Sequence, residues 1–373
     1  ANTDPTHIYR FSGTLNVGDA IIPLTKTLNV DYSGINLIGN SFTAAIPINS
    51  LAINLGSVAL KENTAYLFNM GTRDQWRKLN GGISNGIVAG QYQAIPFNLA
   101  GQAGLPDRIL SMHAFMLNVA TPGNIVLAYD QLVKNASNTT VPDSRKYVMT
   151  RSNPDELPYI IIDVIGRGSA DRVWLFEHKD ASTGFDNGWD GYKMKEGDLV
   201  QAYICGDDQT DYQVATVPDI EGTTLGIKCV SAESYTINLS ATSHVELRKL
   251  YLKDLYTGRT YPIINNAEYI ISGSQRPTIN RFKIITASSG STDIEERAVN
   301  TYVRNNVIVV ENLTDTDYNA CIYDIRGKMI ANKQAKNNDI CEFMNLPIAQ
   351  SGIYIVKVTD KNRSIKTDKV VLK

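Results

Sequence analysis

Cysteine, histidine and tryptophan are scarce in this chain: four, four and three in 373 residues. The cysteines, Cys205, Cys229, Cys321 and Cys341, fall as two local pairs. Neither pair has the C-x-x-C spacing of a tetrahedral zinc site, which excludes that class of metal centre. An even count permits disulfides in an exported protein. Each cysteine, however, lies inside a strand-like run, which reads as a free thiol packed as a small hydrophobe. Neither sign of charge is in excess: 36 Lys and Arg against 38 Asp and Glu leave a net charge of −2. That balance provides no electrostatic footprint for nucleic acid. No run of 18 or more apolar residues appears, so no segment reads as a transmembrane helix. The opening Ala1-Asn-Thr-Asp-Pro5 lacks the basic n-region and apolar core of a secretory signal. Either a leader has been removed or the chain is a piece of something longer. Segments with helical periodicity are few, whereas Gly numbers 27 and Tyr 19, which points to an all-β protein.

The length exceeds one ordinary core, so several domains are expected. The runs Phe11–Asp19, Ser33–Asn40, Ala65–Asn69 and Ile109–Val119 are short and flanked by turn residues. They define a first module over residues 1–134. A second, over 135–287, opens with a polar, Pro-containing stretch. It continues with strands expected at Tyr159–Val164, Arg172–Glu177, Val200–Ile204, Ser234–Leu239, Lys249–Asp254 and Arg281–Ile285. A Ser/Gly-rich linker covers 288–298, and a third module 299–373. No long amphipathic crossovers lie between the strands. The expected class is therefore tandem β-sandwich or jelly-roll-like domains followed by a small immunoglobulin-like β-sandwich.

The third module carries the most information. It contains Cys321-Ile-Tyr-Asp-Ile-Arg-Gly-Lys-Met-Ile330, then Leu346-Pro347, Ser351-Gly-Ile-Tyr-Ile-Val-Lys-Val358 and Asp368-Lys-Val-Val-Leu-Lys373. Period-two alternation through Cys321–Arg326 and Ile353–Val358 predicts strands, and Gly327 follows the first where a hairpin needs positive φ. These three blocks, in this order, resemble the C-terminal sorting domain of Bacteroidota proteins exported through the type IX secretion system. The resemblance implies that translocon recognition rests on Gly352, Tyr354, Lys369, Val370 and Val371. It implies as partners the type IX machinery and a sortase, which would cut near Ser288–Glu296, and an outer-membrane β-barrel shuttle.

The run Gly34–Phe42, with Met112–Met116, Ser169–Phe176, Thr183–Lys193 and Leu250–Gly258, is similar to segments preceding sorting domains in large Bacteroidota surface proteins of adhesion type. That resemblance covers most of the chain and brings no catalytic residues.

Several short patterns imitate active sites. Gly82-Ile-Ser84-Asn-Gly86 fits G-x-S-x-G, but the nucleophile elbow needs a strand before and a helix after the serine. Here the surroundings are glycine-rich, and none of His113, His178 and His244 lies in a triad motif. Gly166-Arg-Gly168 begins like a dinucleotide loop but has Asp171 at the third glycine and a β-pattern after it. Asp186 and Asp190 on one loop, with Asp207 and Asp208 on another, concentrate oxygen ligands that Ca²⁺ would accept. The competing reading is that these side chains bond the turning backbone; no other cofactor is expected. Trp174 reads as core, whereas Trp76 and Trp189 lie in polar surroundings and are candidate platforms for a glycan. The acidic residues show no sign of the facing pair that glycoside hydrolysis needs.

The expectation is a secreted, non-enzymatic cell-surface protein with an adhesive or structural role, reaching the outer surface through the periplasm and binding a surface glycan or host protein. Two alternatives are a carbohydrate-binding accessory and the C-terminal portion of a larger secreted enzyme.

Overall fold

The computed structural model describes residues 12–28, 30, 32–52, 55–69, 91–133, 157–166, 169–195, 200–228, 234–272, 278–286, 299–304, 306–312, 316–337, 339–344, 346, 352–360 and 363–372. Among these the protein is almost wholly β. The first region holds β1 (Ala20–Leu24), β2 (Ile35–Gly39), β3 (Ile46–Pro47), β4 (Ala59–Leu60), β5 (Thr64–Asn69), β6 (Gln91–Pro96), β7 (Arg108–Ile109), β8 (Ala114–Thr121) and β9 (Gly123–Leu127). The second holds β10 (Tyr159–Ile165), β11 (Ala170–Glu177), β12 (Gly191–Tyr192), β13 (Gln201–Cys205), β14 (Asp211–Val217), β15 (Thr224–Lys228) and β16 (Ser234–Ala241). A one-turn helix α1 (Ser243–Glu246) follows, then β17 (Leu250–Asp254), β18 (Thr260–Pro262), β19 (Ala267–Ser272) and β20 (Thr278–Thr286). The last region holds β21 (Val299–Arg304), β22 (Val307–Asn312), β23 (Tyr318–Asp324), β24 (Met329–Ala335), β25 (Asp339–Phe343), β26 (Gly352–Asp360) and β27 (Arg363–Leu372).

All six strands expected in the second region form. The expected run Ile109–Val119 divides into β7 and β8, because the chain turns at Met112, whose φ is 64°.

The largest sheet is ordered β18-β17-β20-β15-β13-β14-β11-β10-β16-β19-β21-β22-β25, with β12 paired to β14. Its pairings are antiparallel except β11–β14, which is parallel. A second sheet is ordered β2-β8-β5-β6, and a third β24-β23-β26-β27.

The central strands are buried on both faces. In β10 every residue from Tyr159 to Ile165 is buried, which is why Tyr-Ile-Ile-Ile-Asp-Val-Ile shows no polar alternation. Ile161 and Tyr159 face a core shared with the first region, whereas Ile160, Ile162 and Val164 face a second core. Trp174 and Phe176 of β11 likewise join the first core, and Val173 and Leu175 the second. The second core gathers residues from distant strands of the same sheet, including Leu225, Leu252, Phe282 and Ile284, so the sheet curls over on itself.

Buried glutamines stitch the first region to that sheet. Gln91 Nε2 donates to the carbonyls of Ala170 and Val200, each at 3.2 Å, and its Oε1 accepts from Gln201 Nε2 at 3.3 Å. Gln213 Oε1 accepts from Ala94 N at 2.8 Å. Each of these glutamines thus makes at least one hydrogen bond across the joint, while Gln201 Oε1 is left without a partner.

The last region is a two-layer sandwich whose layers are β21-β22-β25 and β24-β23-β26-β27. Between them lie Val299, Ile308, Val310, Ile322, Tyr354, Val356 and Val358. Asn312 Nδ2 clamps one end by donating to the carbonyls of Thr316, Ala335 and Lys336. Gly327 takes φ 80° in the β23–β24 turn, as its position after an apolar run predicts. Asp324 holds that turn by accepting from the backbone N–H groups of Arg326 and Lys328, each at 2.9 Å.

Candidate functional site

Two places concentrate the sequence candidates. The first is the terminal hairpin. In the β26–β27 register Gly352 faces Leu372, Ile353 faces Val371, Tyr354 faces Val370 and Ile355 faces Lys369, so all five sorting candidates lie together. The pleat separates them. Tyr354 and Val370 point into the sandwich core, 4% and 5% exposed, while Lys369 is exposed and Gly352 and Val371 are half-buried. Only the latter three offer side-chain or backbone surface to a partner. Strand β27 is the last in its sheet, with no strand hydrogen-bonded to its outer edge among the described residues, although Lys366 of β27 donates to the Val299 carbonyl of β21.

The second place is the loop from His178 to Lys193. Asp186 caps its first turn, its carboxylate accepting from Ser182 N at 2.6 Å and Ser182 Oγ at 3.1 Å. Asp190, 1% exposed, accepts from Asp186 N at 2.6 Å and Thr216 N at 2.7 Å. Both carboxylates therefore satisfy turning backbone. Asp208 does the same on its own loop, accepting from Thr210 N at 3.0 Å and Tyr212 Oη at 2.7 Å. Asp207 is exposed beside it. Among the described residues no group of three or more His, Cys, Asp or Glu side chains is placed to hold a metal ion.

Trp189 is half-buried and packs against the first core, with its ring stacked on His178 at 5.2 Å and 23°. One face of that indole is thus already covered. Trp76 and the Gly82–Gly86 run lie outside the described residues, as does Cys229. Cys205, Cys321 and Cys341 are free thiols, and burial pushes the Cys205 thiol up to about 11, which keeps it protonated at neutral pH.

The same loop docks on the first region. Asn187 Oδ1 accepts from Asn63 N at 2.6 Å, Gly188 O from Asn98 N at 3.0 Å, and Asp190 O from Thr64 Oγ1 at 2.9 Å. Gly191 is required there, because a Cβ would lie 2.7 Å from the Ala94 methyl. Beside the dock, Phe185, Tyr192 and Tyr212 stack with ring centroids 4.8–6.4 Å apart, and the Lys61 ammonium stands 5.2 Å from the Tyr192 ring.

Sequence reasoning missed the buried charges. Lys193 Nζ lies 2.6 Å from Asp171 Oδ2, both side chains fully buried. Arg172 pairs with Asp163 through two bonds of 2.5 and 2.8 Å, and Arg281 with Asp254 through two of 3.1 and 2.7 Å. Glu62, 1% exposed, accepts from Tyr192 N. For Asp163 the available signal was a charged residue inside an otherwise apolar strand run, whereas Lys193 and Glu62 lie outside strands in polar surroundings.

Burial pushes four carboxyls upward: Asp190 to about 7, against the pull of its two backbone N–H donors, and Glu62, Asp171 and Glu311 in the same direction. A carboxyl whose folded pKa is raised stabilises the fold least when ionised. Its penalty is absent below the unfolded pKa near 4 and is complete once pH passes the folded value. Asp107, shifted down by its hydrogen bond to Arg108, loses its contribution only below about pH 4. The melting temperature is therefore expected to fall by several degrees from pH 5 to pH 8, and Asp190→Asn should flatten part of that slope. A scanning-calorimetry series across this range checks it; a melting temperature that rises toward pH 8 would refute the assignment.

A family model described as a domain of unknown function, DUF8694, matches residues 288–372, the last sandwich together with the preceding linker. The Minor fimbrium subunit Mfa5 of Porphyromonas gingivalis is 36% identical over 375 residues, an alignment that takes in 99% of this chain. The chain is similar to a fimbrial subunit. It spans 30% of the length of that relative. The similarity runs through all three regions, so it includes both the terminal hairpin and the docked loop. No helix among the described residues is long and apolar enough to cross a membrane.

Proposed function

We propose that this chain belongs to a Bacteroidota cell-surface protein with an adhesive or structural role, without catalytic activity, whose last sandwich is its address for type IX secretion. The carrying observation is the 36% identity to a minor fimbrium subunit over nearly the whole chain. The all-β build supports the adhesive reading, since tandem sandwiches present loops and edges on a rigid frame. The motif blocks at Cys321–Ile330, Ser351–Val358 and Asp368–Lys373 support the address. Within it, Lys369 and Val371 and the outer edge of β27 are the surface a translocon would read, by strand addition along the edge. Tyr354 and Val370 act one step removed, holding β26 against the core.

Removing Lys369–Lys373 from the protein in its producing cells is expected to trap it in the periplasm. Lys369→Glu, which leaves the core intact, should lower surface display several-fold. Normal display of both variants, measured by whole-cell antibody labelling, would sink the address. For adhesion, cells lacking this protein should bind fewer host-protein and glycan surfaces than the parent strain; equal binding across such an array would overturn that half.

A further inference from the structure

The large sheet does not stop at the linker. Strand β19 of the second region pairs with β21 of the last one, Ala267 opposite Arg304 and Glu268 opposite Val303. The three-stranded layer β21-β22-β25 is thereby the end of the same continuous sheet. Tyr302 and Val309, each 1% exposed, belong to the second region's core although they lie in the last region's strands. The Tyr302 ring meets the Tyr269 ring edge-on at 6.0 Å, and Tyr269 meets Tyr261 at 5.0 Å, so a ladder of tyrosines crosses the joint. Tyr269 is oriented by donating from Oη to the Pro262 carbonyl at 2.6 Å. At the rim Arg259 Nη1 reaches Asp368 of β27 at 3.3 Å.

Each part of this joint opposes separation. Parting the second and last regions would expose Tyr302 and Val309 and leave the facing edges of β19 and β21 unpaired in water.

We propose that the last region is a non-covalently held part of the second one: the face made by β19, Tyr261 and Tyr269 is a docking surface whose occupant is residues 299–372 of this chain. Cutting the backbone ahead of Val299 then leaves the terminal sandwich bound. This goes beyond the sorting assignment and does not depend on it. If such a cut occurs on the cell surface, the severed tail stays with the displayed protein as a subunit.

The test uses the purified full chain with a site-specific protease sequence and a flexible spacer inserted after Gly290, cut until denaturing electrophoresis shows two fragments. Native size exclusion and native mass spectrometry are then read at micromolar concentration and after tenfold dilution. Co-elution at the mass of the uncut chain at both concentrations is the expected result. Separation of the two fragments in native buffer overturns the proposal. Tyr302→Ser should raise the dissociated fraction of the cut protein at least tenfold. Should that variant fail to fold, Arg259→Glu, which reverses the charge facing Asp368 at the rim and also removes the Arg259 contact to Tyr261, should raise it severalfold while leaving the uncut chain folded. A cut protein whose retention is unaffected by both changes would also refute the assigned surface. Because all readings are made on purified protein, failure here leaves the secretion assignment standing, and failure of display in cells leaves this one standing.

Discussion

Lys193→Met is expected to destabilise the fold by about 3–5 kcal/mol, since removing one partner leaves an uncompensated charge in the interior. Asp171 has no route to water: its side chain is fully buried, its Oδ1 accepts from Arg172 N at 2.9 Å and its Oδ2 from Ala202 N at 2.7 Å. Without the ammonium the carboxyl must stay buried while ionised or take up a proton and turn a donor toward a backbone N–H. Both cost free energy. Because burial already holds this carboxyl above its ordinary range, the loss should be smaller at pH 5 than at pH 8. Replacing both partners is not expected to be neutral, in contrast to pairs that bond only each other. Asp171→Leu with Lys193→Met would orphan the two backbone donors, whereas Asp171→Asn with Lys193→Met keeps an acceptor and should cost less than the sum of the single changes. Urea denaturation of the parent, the Lys193→Met and Asp171→Asn single variants and the two double variants checks this; a Lys193→Met midpoint equal to the parent's would show that the pair contributes nothing.

Trp174→Ala is expected to cost a further comparable amount, about 3–5 kcal/mol, through the cavity it leaves. The indole is 2% exposed and belongs to the core that the first region shares with β10 and β11. Its Nε1 donates to the Ala103 carbonyl at 3.2 Å, and the Arg172 guanidinium lies 5.6 Å from its ring. The change thus removes apolar volume, one buried hydrogen bond and a cation–π contact at one seam. Trp174→Phe retains most of the volume and should cost roughly half as much. Since the seam joins two regions, limited proteolysis should cut the Trp174→Ala protein within residues 12–133 before the sheet is attacked. Uniform resistance across the chain, with a denaturation midpoint like the parent's, would show that the two regions are held elsewhere.

The strands were legible to different degrees. β16 reads from sequence because Ser234–Ala241 alternates exposed or half-buried with buried residues. β26 reads for the same reason, with Tyr354, Val356 and Val358 inward. β10 reads as a strand by length and β-branched content and β11 by length and its Trp174 and Phe176, since burial on both faces removes alternation. In β23 the expected alternation is weaker than the pattern suggested: Ala320, Cys321 and Ile322 are all buried, and Ile325 is exposed in the turn.

For the candidate site, composition located the right loops and tertiary contacts decided what they do. Asp186 and Asp190 are four residues apart in any reading of the chain. Only the approach of Thr216 and the docking of Asn63, Thr64 and Asn98 turn that acidic loop into a clasp between two regions. Trp189 looked solvent-facing because its neighbours in sequence are polar, yet His178, eleven positions earlier, covers one side of it.

The sequence by itself determined that this is a β protein with a hairpin-bearing terminal sandwich, because strand periodicity, turn glycine and capping Asp324 all act within a few residues. Only the tertiary structure decided which strands from different regions share an edge or a core. The pairing of β19 with β21, the Lys193–Asp171 pair and the Tyr269–Tyr302 contact each join residues 22 or more positions apart. Such contacts depend on where loop closure and packing bring two surfaces together, a quantity set by the whole chain and by no local window of it.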